Sequence, residues 1–373
     1  MSRILATYRV FAPELEVAAI ARAIAVEQTV EVPDALIDER IEREIVADVE
    51  RVTRVGKESS DVVLGFDAEL ACGHLNQLLN LVAGNVMLRP DTRLVDLALP
   101  DDFLAAFPGP NHGVDGLRAL TGVTGRPLLA TALKPRGRSV EHFARVAAAF
   151  ASGGGDLVKD DHNLVDHDLA GFRARVRACQ AAVVDANART GGACLYIPHV
   201  MVPADRLDEA LAIVLDAEVS GVMVAPLLYG LDTVRSLAAR TGLLVMSHPT
   251  FTGAYVAGAR HGIDKGLLMG TLFRLAGIDI SVFTNHGGRF GFTRASCLRV
   301  AERLRRPLGA LAAGWPSPAG GMTFDRIGEL IEEYGIDTVL LIGGALLAHG
   351  ADVTAATHEY RAAIESLCEP PLQ

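Results

Sequence analysis

The first part of the chain alternates strand-like and helix-like patterns of hydrophobic and polar residues. Ile4–Val10 places apolar and polar residues as a strand with one buried face does, and Ile41–Val52 is a second strand-rich region. Leu15–Val26 carries apolar residues at helical spacing. Pro100–Gly113 is rich in Pro, Gly and Asp, which is typical of a linker. We therefore predict an N-terminal α+β domain over residues 1–118.

The pattern changes after this region. Short runs rich in β-branched residues or leucine now recur, and helical segments separate them. Eight alternations predict a parallel (β/α)8 barrel over residues 119–373. A doubly wound open sheet is the alternative, although the strand count would be high for one sheet. The predicted strands are Leu128–Leu133, Asp156–Val158, Cys194–Ile197, Val222–Ala225, Leu243–Met246, Ile278–Val282, Leu308–Ala313 and Val339–Ile342.

Composition and charge narrow the class of protein. Half of the 373 residues are hydrophobic, the formal net charge is −10, and no Lys/Arg-rich run is present. Because nucleic-acid binding normally needs a basic face, we predict no nucleic-acid partner. No apolar run reaches membrane-spanning length, the N-terminus lacks the apolar region of a signal peptide, and five scattered cysteines indicate reduced thiols. These features predict a cytoplasmic α/β enzyme without membrane attachment.

Charged residues collect at the predicted end of the second barrel strand, within Gly153–Asn163. In such a barrel, the residues that follow each strand line the catalytic mouth. Burying these charges is costly unless they serve one another or one bound group. Lys159, Asp161 and His162 are therefore candidate metal ligands, and Lys159 would add an anionic oxygen ligand if it reacted with CO₂ to form a carbamate. The alternative is a buried Lys–Asp ion pair beside a surface histidine.

Three further strand ends carry candidate catalytic residues. Lys134 and Arg136 follow the first strand, where they could bind an anion and Lys134 could transfer a proton; a Lys/Arg pair that reaches solvent at the barrel rim is the alternative. Arg289 lies in the glycine-rich segment Thr284–Gly291, which could close over an anion, although an ordinary turn has the same pattern. His248 falls at another strand end and could contact substrate.

Paired glycines follow the last two predicted strands, at Gly320–Gly321 and Gly343–Gly344. Phosphate sites in these barrels favour backbone N–H donors from the last two loops, and glycine lets the backbone approach closely. A tight turn explains one pair equally well, but two pairs at these strand ends favour phosphate. No dinucleotide-binding glycine motif, P-loop or G-x-S-x-G motif is present, which argues against nicotinamide, ATP and serine-hydrolase chemistry.

Taken together, these motifs resemble the large subunit of ribulose bisphosphate carboxylase (RuBisCO) and, more closely, the non-carboxylating RuBisCO-like proteins of form IV. The resemblance covers most of the chain and includes the two-domain layout and both glycine pairs. It is carried by the segments FPGPNHGVDGLR, GRPLLATALKP and GGGDLVKDDHN and by the glycine-rich loop near Arg289. The resemblance implies a ferredoxin-like N-terminal α+β domain followed by a catalytic (β/α)8 TIM barrel.

The resemblance also implies roles for individual residues. Lys134 matches the lysine that handles protons at the enediolate, Lys159 matches the carbamylated lysine, and Asp161 matches a metal-binding aspartate. The glycine pairs match the backbone donors of one phosphate site. Glu27 and Asn85 look like residues that the N-terminal domain contributes to the partner's site. This implies a homodimer with shared active sites and a phosphorylated small-molecule substrate.

Four positions depart from the carboxylase pattern. His162 stands where RuBisCO has a glutamate ligand, which weakens the case for Mg²⁺ and admits Mn²⁺. Arg289 replaces the mobile-loop lysine that stabilises added CO₂. Pro249 and Val282 replace the two cationic residues of the second phosphate site. A bisphosphate substrate, and with it carboxylation, is therefore excluded from the prediction.

The KDDH and GGRFGF segments look most like members associated with sugar-acid catabolism. This implies a decarboxylase, or a related lyase that cleaves a C–C bond, acting on a phosphorylated β-keto sugar acid such as 3-oxo-isoapionate 4-phosphate. A divalent ion would draw electrons from the ketone while Lys134 protonates the enediolate. Two alternatives remain open. One is an enolase or isomerase of methylthioribose salvage, such as a 2,3-diketo-5-methylthiopentyl-1-phosphate enolase, and the other is a catalytically inactive dimeric binding protein.

Overall fold

The computed structural model describes residues 2–350 and 352–369, and its N-terminal part is built on one antiparallel sheet. The strand order is β4-β1-β3-β2. Alternate residues of the first strand are buried, as the polar and apolar pattern predicts. The second strand is exposed along almost its whole length because it forms the edge. The four strands are β1 (Arg3–Val10), β2 (Asp48–Gly56), β3 (Ser59–Asp67) and β4 (Thr92–Ala98).

Helices and short helical turns pack around this sheet. The predicted strand-rich region Ile41–Val52 is wrong in its first half, which is helical. The side chain of Asp38 accepts a hydrogen bond from the Ile41 backbone N–H and so caps this helix. The helical segments of the domain are Glu14–Glu27, Asp34–Leu36, Glu39–Glu44, Ala68–Ala71, Leu75–Ala83, Asn85–Leu88 and Asp101–Leu104.

Eight parallel strands form a TIM-barrel-type domain, which confirms the predicted fold class. Two four-stranded sets, β13-β5-β6-β7 and β12-β11-β9-β8, meet through a bridge between His199 and Met223. The short β10 lies outside the barrel and pairs with β4, which ties the two parts of the chain together. The strands are β5 (Leu128–Leu133), β6 (Leu157–Asp160), β7 (Leu195–Ile197), β8 (Gly221–Val224), β9 (Leu244–Ser247), β10 (Gly262–Ile263), β11 (Ile280–Thr284), β12 (Trp315–Ala319) and β13 (Val339–Leu341).

Helices between the strands form the outer layer of the barrel. The helix Gly113–Thr121 spans position 118, and the domain boundary proposed there stays a prediction. Within the described residues, no helix combines the length and the apolar character needed to cross a membrane. The remaining helical segments are Val140–Ser152, Leu169–Thr190, Ala204–Arg206, Leu207–Asp216, Pro226–Tyr229, Leu231–Thr241, Gly253–Val256, Leu267–Leu272 (a π-helix), Phe273–Leu275, Arg294–Arg305, Phe324–Arg326, Ile327–Tyr334, Gly344–Leu347 and Val353–Cys368.

The predicted seventh barrel strand, Leu308–Ala313, is wrong. The strand is Trp315–Ala319, which contains two prolines, and Leu308 makes only an isolated bridge to Ala310. The Trp315 N–H donates to Asp279 on the β11 side, so the positions of Pro316 and Pro318 face β13 instead. Proline has no N–H, so β12 cannot donate towards β13 at these two positions. Its ladder with β11 does not use them and stays intact. The two prolines therefore make this strand difficult to predict from the sequence.

The barrel interior is a closed apolar core to which every one of the eight strands contributes. Its members at the centre include Leu157, Met223, Met246 and Trp315, all fully buried. Such a filled interior holds the strand ends rigidly, so side chains that project beyond it occupy fixed positions.

Candidate active site

The predicted catalytic side chains lie directly above this apolar core. Ala130, Leu157, Ile197 and Met246 belong to the interior of the barrel. Because side chains alternate along a strand, positions two or four residues further along face the same interior. Those positions hold Lys134, Lys159, His199 and His248. The fold therefore brings four chemically competent side chains from four strands to one end of the barrel.

Lys159 is the most deeply placed of these groups, with 3% of its surface exposed. Its Nζ donates a hydrogen bond to the Asp160 carbonyl at 3.0 Å. Burial, reinforced by the nearby Lys134 ammonium, lowers the pKa of Lys159 to about 8, although Asp161 opposes the shift. Within the described residues no carboxylate forms a salt bridge with Lys159. At pH 7 roughly one tenth of this amine is therefore uncharged, and the uncharged amine is the form that reacts with CO₂.

The two neighbouring aspartates have separate functions. Asp160 is completely buried and pairs with Arg175. Its carboxylate also accepts hydrogen bonds from the Tyr196 hydroxyl at 2.9 Å and the His199 N–H at 2.8 Å. The Asp160 carboxylate is thus fully occupied by Arg175, the Tyr196 hydroxyl and the His199 backbone. The buried ion pair weighed as an alternative for this segment exists, but it uses Asp160 and Arg175 rather than Lys159.

Asp161 faces the mouth of the barrel. Its carboxylate pairs with Lys134, lies 3.4 Å from His162 Nδ1, and accepts a hydrogen bond from the Asn163 N–H at 3.0 Å. Burial would raise the pKa of Asp161, but the hydrogen bonds from His162 and Lys134 hold it well below its usual range. The carboxylate is therefore ionised at neutral pH and available as an oxygen ligand.

Three histidines line the same space. The rings of His162 and His248 stack with centroids 4.3 Å apart, and His248 Nδ1 lies 2.6 Å from the Thr250 hydroxyl. Neither ring nitrogen of the buried His199 has a hydrogen-bond partner among the described residues. Burial, together with the charge of Lys159, lowers the pKa of His199 to about 3 and that of His248 to about 2. Both rings are neutral and can hydrogen-bond to a substrate.

The glycine pairs form the opposite wall. Gly320 and Gly321 have φ values of +95° and +106°, which place them in the region that favours glycine. The Arg289 N–H donates to the Gly320 carbonyl at 3.0 Å, so the glycine-rich loop rests on this pair. A Cβ placed on Gly343 would lie 3.7 Å from Lys134 Cε. Lys134 therefore stands between the carboxylate of Asp161 and the predicted phosphate cradle.

Other predicted residues lie apart from this cluster. Arg136 is exposed, and its guanidinium forms no ion pair within residues 2–350 and 352–369. Asn85 Nδ2 donates to Glu27 Oε1 at 2.9 Å, so these two residues do meet on the N-terminal domain. No hydrogen bond to a barrel residue was found for either in the described part of the chain.

The residues fit a metal site only in part before modification. Asp161 Oδ1 and His162 Nδ1 are 3.4 Å apart, which suits two donors on one ion. Among the described residues, the only three His, Cys, Asp or Glu side chains whose ligand atoms converge are His286, Glu329 and Glu333. Those two glutamates are already neutralised by arginine side chains. A site at Asp161 and His162 therefore needs the carbamate of Lys159 as a further ligand.

A family model described as ribulose bisphosphate carboxylase large chain, catalytic domain, matches residues 113–295. The chain is 41% identical over 366 residues to ribulose bisphosphate carboxylase-like protein 1 of Rhodopseudomonas palustris, with 98% of each chain covered. The chain belongs to the RuBisCO large-chain family. Its RuBisCO-like character is thereby confirmed, whereas the sugar-acid subtype stays a prediction.

Two further members of the RuBisCO family sharpen the comparison. The 5-methylthioribulose-1-phosphate isomerase of Rhodospirillum rubrum is 40% identical over 366 residues, which is 97% of this chain and 96% of that protein. A dimeric archaeal RuBisCO from Hyperthermus butylicus superposes with a TM-score of 0.87 at 26% identity, covering 98% of this chain and 90% of that one. Relatives of this chain thus include an isomerase and an oligomeric carboxylase.

The sequence analysis did not predict Arg175, which pairs with Asp160 behind the site. Arg175 lies in the helix Leu169–Thr190 and is 1% exposed. One signal was available, because Arg175 shares an apolar stripe with Phe172 and Cys179 at helical spacing. An arginine on the buried face of a helix needs hydrogen-bond acceptors inside the fold, and here they are the carboxylates of Asp160 and Asp166.

Proposed function

We propose that this protein is an enzyme that forms an enediolate from a keto sugar carrying one phosphate group. The observation that supports this most directly is the position of Lys134, between the ionised Asp161 and Gly343 of the glycine pairs. A lysine in this position can exchange a proton with a carbon atom next to a ketone while the phosphate is held a few ångströms away.

The chain's own residues would divide the work. The backbone N–H groups of the two glycine pairs would bind the phosphate. The neutral rings of His199 and His248 would hydrogen-bond to hydroxyl groups without adding charge. Lys134 would take a proton from the carbon next to the ketone and return it to the neighbouring carbon. A divalent ion held by Asp161, His162 and the carbamate of Lys159 would supply Lewis-acid polarisation of the ketone.

The reaction best supported is isomerisation by proton transfer between neighbouring carbons, on a substrate such as 5-methylthioribulose 1-phosphate. The support is the isomerase from Rhodospirillum rubrum, which matches this chain along nearly its full length. Enolisation of the related 2,3-diketo-5-methylthiopentyl 1-phosphate requires the same groups. Neither reaction needs a second phosphate site or a residue that stabilises added CO₂.

Deuterium exchange tests the proposed enolisation. The protein is incubated in D₂O with Mg²⁺ or Mn²⁺, bicarbonate and 5-methylthioribulose 1-phosphate, and the C–H signals next to the ketone are followed by NMR. We expect those signals to decrease and a product isomer to appear. Lys134→Met should abolish the exchange, whereas Lys57→Met, in an exposed turn, should not. The same experiment is repeated with 2,3-diketo-5-methylthiopentyl 1-phosphate. Absence of exchange for both compounds, with metal bound and the fold intact, would contradict the proposal and favour an inactive binding protein.

Decarboxylation of a phosphorylated β-keto sugar acid is the second candidate. It is favoured by Arg289, whose backbone N–H binds Gly320 and whose Cγ is 3.6 Å from the Cβ position of Gly321. A guanidinium here could bind a substrate carboxylate in bidentate fashion. Release of CO₂ from 3-oxo-isoapionate 4-phosphate, with no turnover of the methylthio sugars, would favour this reaction over isomerisation.

We also propose a homodimer in which each N-terminal domain completes the partner's site. The Glu27–Asn85 pair is exposed, and Leu88 beside it is 83% exposed, so this surface is free to contact a partner. Hybrid dimers provide the test. Mixing inactive Glu27→Gln with inactive Lys159→Met should restore about one quarter of the activity. After random exchange about half of the dimers are hybrids, and one of the two sites in each hybrid carries neither change. No restoration after verified subunit exchange would contradict shared sites.

A further inference from the structure

The chain contains four lysines among its 35 basic residues. Lys57 lies in the exposed turn between β2 and β3, and Lys134 and Lys159 belong to the candidate site. The fourth, Lys265, follows β10 and is 2% exposed. Because arginine supplies nearly every other cation of this protein, the choice of lysine at a buried position calls for a physical reason.

The ammonium group of Lys265 is surrounded by three different acceptors. Nζ donates to the Thr284 carbonyl at 2.6 Å and to Cys297 Sγ at 3.4 Å. It also lies 3.7 Å from the centroid of the Phe292 ring, which is a close cation–π contact. Within the described residues no carboxylate forms a salt bridge with it. A buried cation held only by neutral groups is costly, and burial lowers the pKa of Lys265 accordingly.

These acceptors lie on both sides of the loop that carries Arg289. Thr284 is the last residue of β11, and the loop begins at the next position. Phe292 follows the loop, and Cys297 lies in the helix Arg294–Arg305 that comes after it. One side chain from another part of the chain thus holds the start and the end of the segment 285–291.

The position of this loop matters for the phosphate cradle. A Cβ placed on Gly288 would lie 2.2 Å from the Gly320 carbonyl oxygen, so the loop backbone approaches β12 as closely as glycine permits. The Arg289 N–H donates to that same oxygen. A small displacement of either end of the loop would break this contact and move the Arg289 side chain, whose Cγ lies 3.6 Å from the Cβ position of Gly321, away from the cradle.

We propose that Lys265 is a positioning residue that clamps both ends of the 285–291 loop and so places Arg289 over the phosphate cradle. The role in turnover rests on the proposed function, but the clamp itself does not. Lysine suits this task because a compact ammonium can donate in three directions, whereas a planar guanidinium cannot reach the Thr284 carbonyl, the Cys297 sulfur and the Phe292 face together.

Hydrogen exchange of the metal-free protein tests the clamp without any substrate. Lys265→Met keeps the length and apolar stem of the side chain and removes only the ammonium. We expect the amides of Asn285 and Arg289, both hydrogen-bonded in the fold, to exchange at least about tenfold faster. The amides of His248 and Ile342 serve as internal controls and should not change. Equal acceleration at all four amides, or none, would overturn the proposal.

A double-mutant cycle then tests the link to Arg289. Lys265→Met should lower kcat/KM by about tenfold in the native background and have no further effect in Arg289→Met, because it acts through that residue. The same loss in both backgrounds would overturn the positioning role. If Lys265→Met does not fold, Phe292→Leu removes the ring and leaves the Thr284 hydrogen bond, and it should accelerate the same two amides. If neither ketose nor keto acid is turned over, the exchange experiment still decides on the clamp.

Discussion

The two walls of the barrel mouth differ in the groups that they present, which are side chains on one wall and backbone on the other. At the ends of β5 and β6 the wall consists of charged side chains: the half-buried Lys134 pairs with the buried Asp161, and burial lowers the pKa of the neighbouring Lys159. At the ends of β11 and β12, Gly287, Gly320 and Gly321 have positive φ values, whereas Gly343 after β13 has a φ of −90°. On this wall we expect backbone N–H groups to bind the phosphate. We therefore expect the first wall to set the reactivity and the second wall to set the binding of the substrate.

This difference has a practical consequence for mutagenesis. On the side-chain wall, a change that keeps the shape and removes the functional group should lower kcat. On the backbone wall, a single methyl group should raise KM while the chemistry persists. The predictions below are arranged to test that division, beginning with the largest expected effect.

Lys159→Met should lower kcat about 1000-fold or more, because it removes the extra metal ligand and the proton-transfer geometry that depends on it. The fold should survive, since an apolar side chain replaces a buried amine that has no carboxylate partner. Steady-state kinetics with saturating Mg²⁺ and bicarbonate measure the loss, and ¹³C-NMR should show no carbamate signal. Lys57→Met is the matched control and should retain both. Activity within tenfold of the native protein would remove Lys159 from the mechanism.

Gly321→Ala should raise KM about 10- to 100-fold and change kcat little, because the φ of +106° is strained for alanine and the phosphate loses backbone donors. Gly335→Ala introduces a similar strain at φ +70°, after the helix Ile327–Tyr334 and with open space around it, and should leave KM unchanged. Initial-rate measurements across substrate concentration separate the two parameters. A fall in kcat without a change in KM would show that the two walls are not divided as stated.

His199→Phe should make the free energy of unfolding fall less steeply as the pH is lowered. The pKa of His199 is about 3 in the folded protein and 6.5 in an ordinary setting, so below pH 6.5 the unfolded chain binds a proton that the folded chain does not. Stability therefore falls as the pH drops from 6.5 towards 3, by about 1.4 kcal/mol per pH unit for this group. Urea unfolding of the metal-free protein between pH 4 and 7 should show a shallower slope. The exposed His74→Phe variant should keep the native slope, and an unchanged slope in His199→Phe would contradict the burial of a neutral ring.

Arg136→Ala should have the smallest effect, less than about threefold on KM and kcat, because an exposed guanidinium without an ion pair contributes little. The same kinetic assay measures it. A loss above tenfold would mean that Arg136 reaches the substrate, and the side-chain wall would then extend to the barrel rim.

The sequence by itself determined where most of the barrel strands end and which candidate residues follow them. Short runs rich in β-branched residues or leucine located seven of the eight barrel strands. The charged or glycine-rich residues that follow these runs predicted the residues of both walls. This works because strand ends of a parallel barrel all open to one face, so position along the chain translates into position in space. The prediction of Leu308–Ala313 as a strand failed because this run is apolar, whereas the real strand, Trp315–Ala319, contains two prolines. The prolines are tolerated because their positions face β13, with which β12 forms no hydrogen-bonded ladder among the described residues.

Only the tertiary structure decided which partner each charge has. Asp160 and Asp161 are adjacent and alike in the sequence, yet one faces Arg175 in the helix layer and the other faces Lys134 in the mouth. Lys265 carries no signal of its own, since the groups it binds come from positions 19 to 32 residues away. Buried charges are stabilised by contacts across the fold, and such contacts depend on packing rather than on any local pattern along the chain.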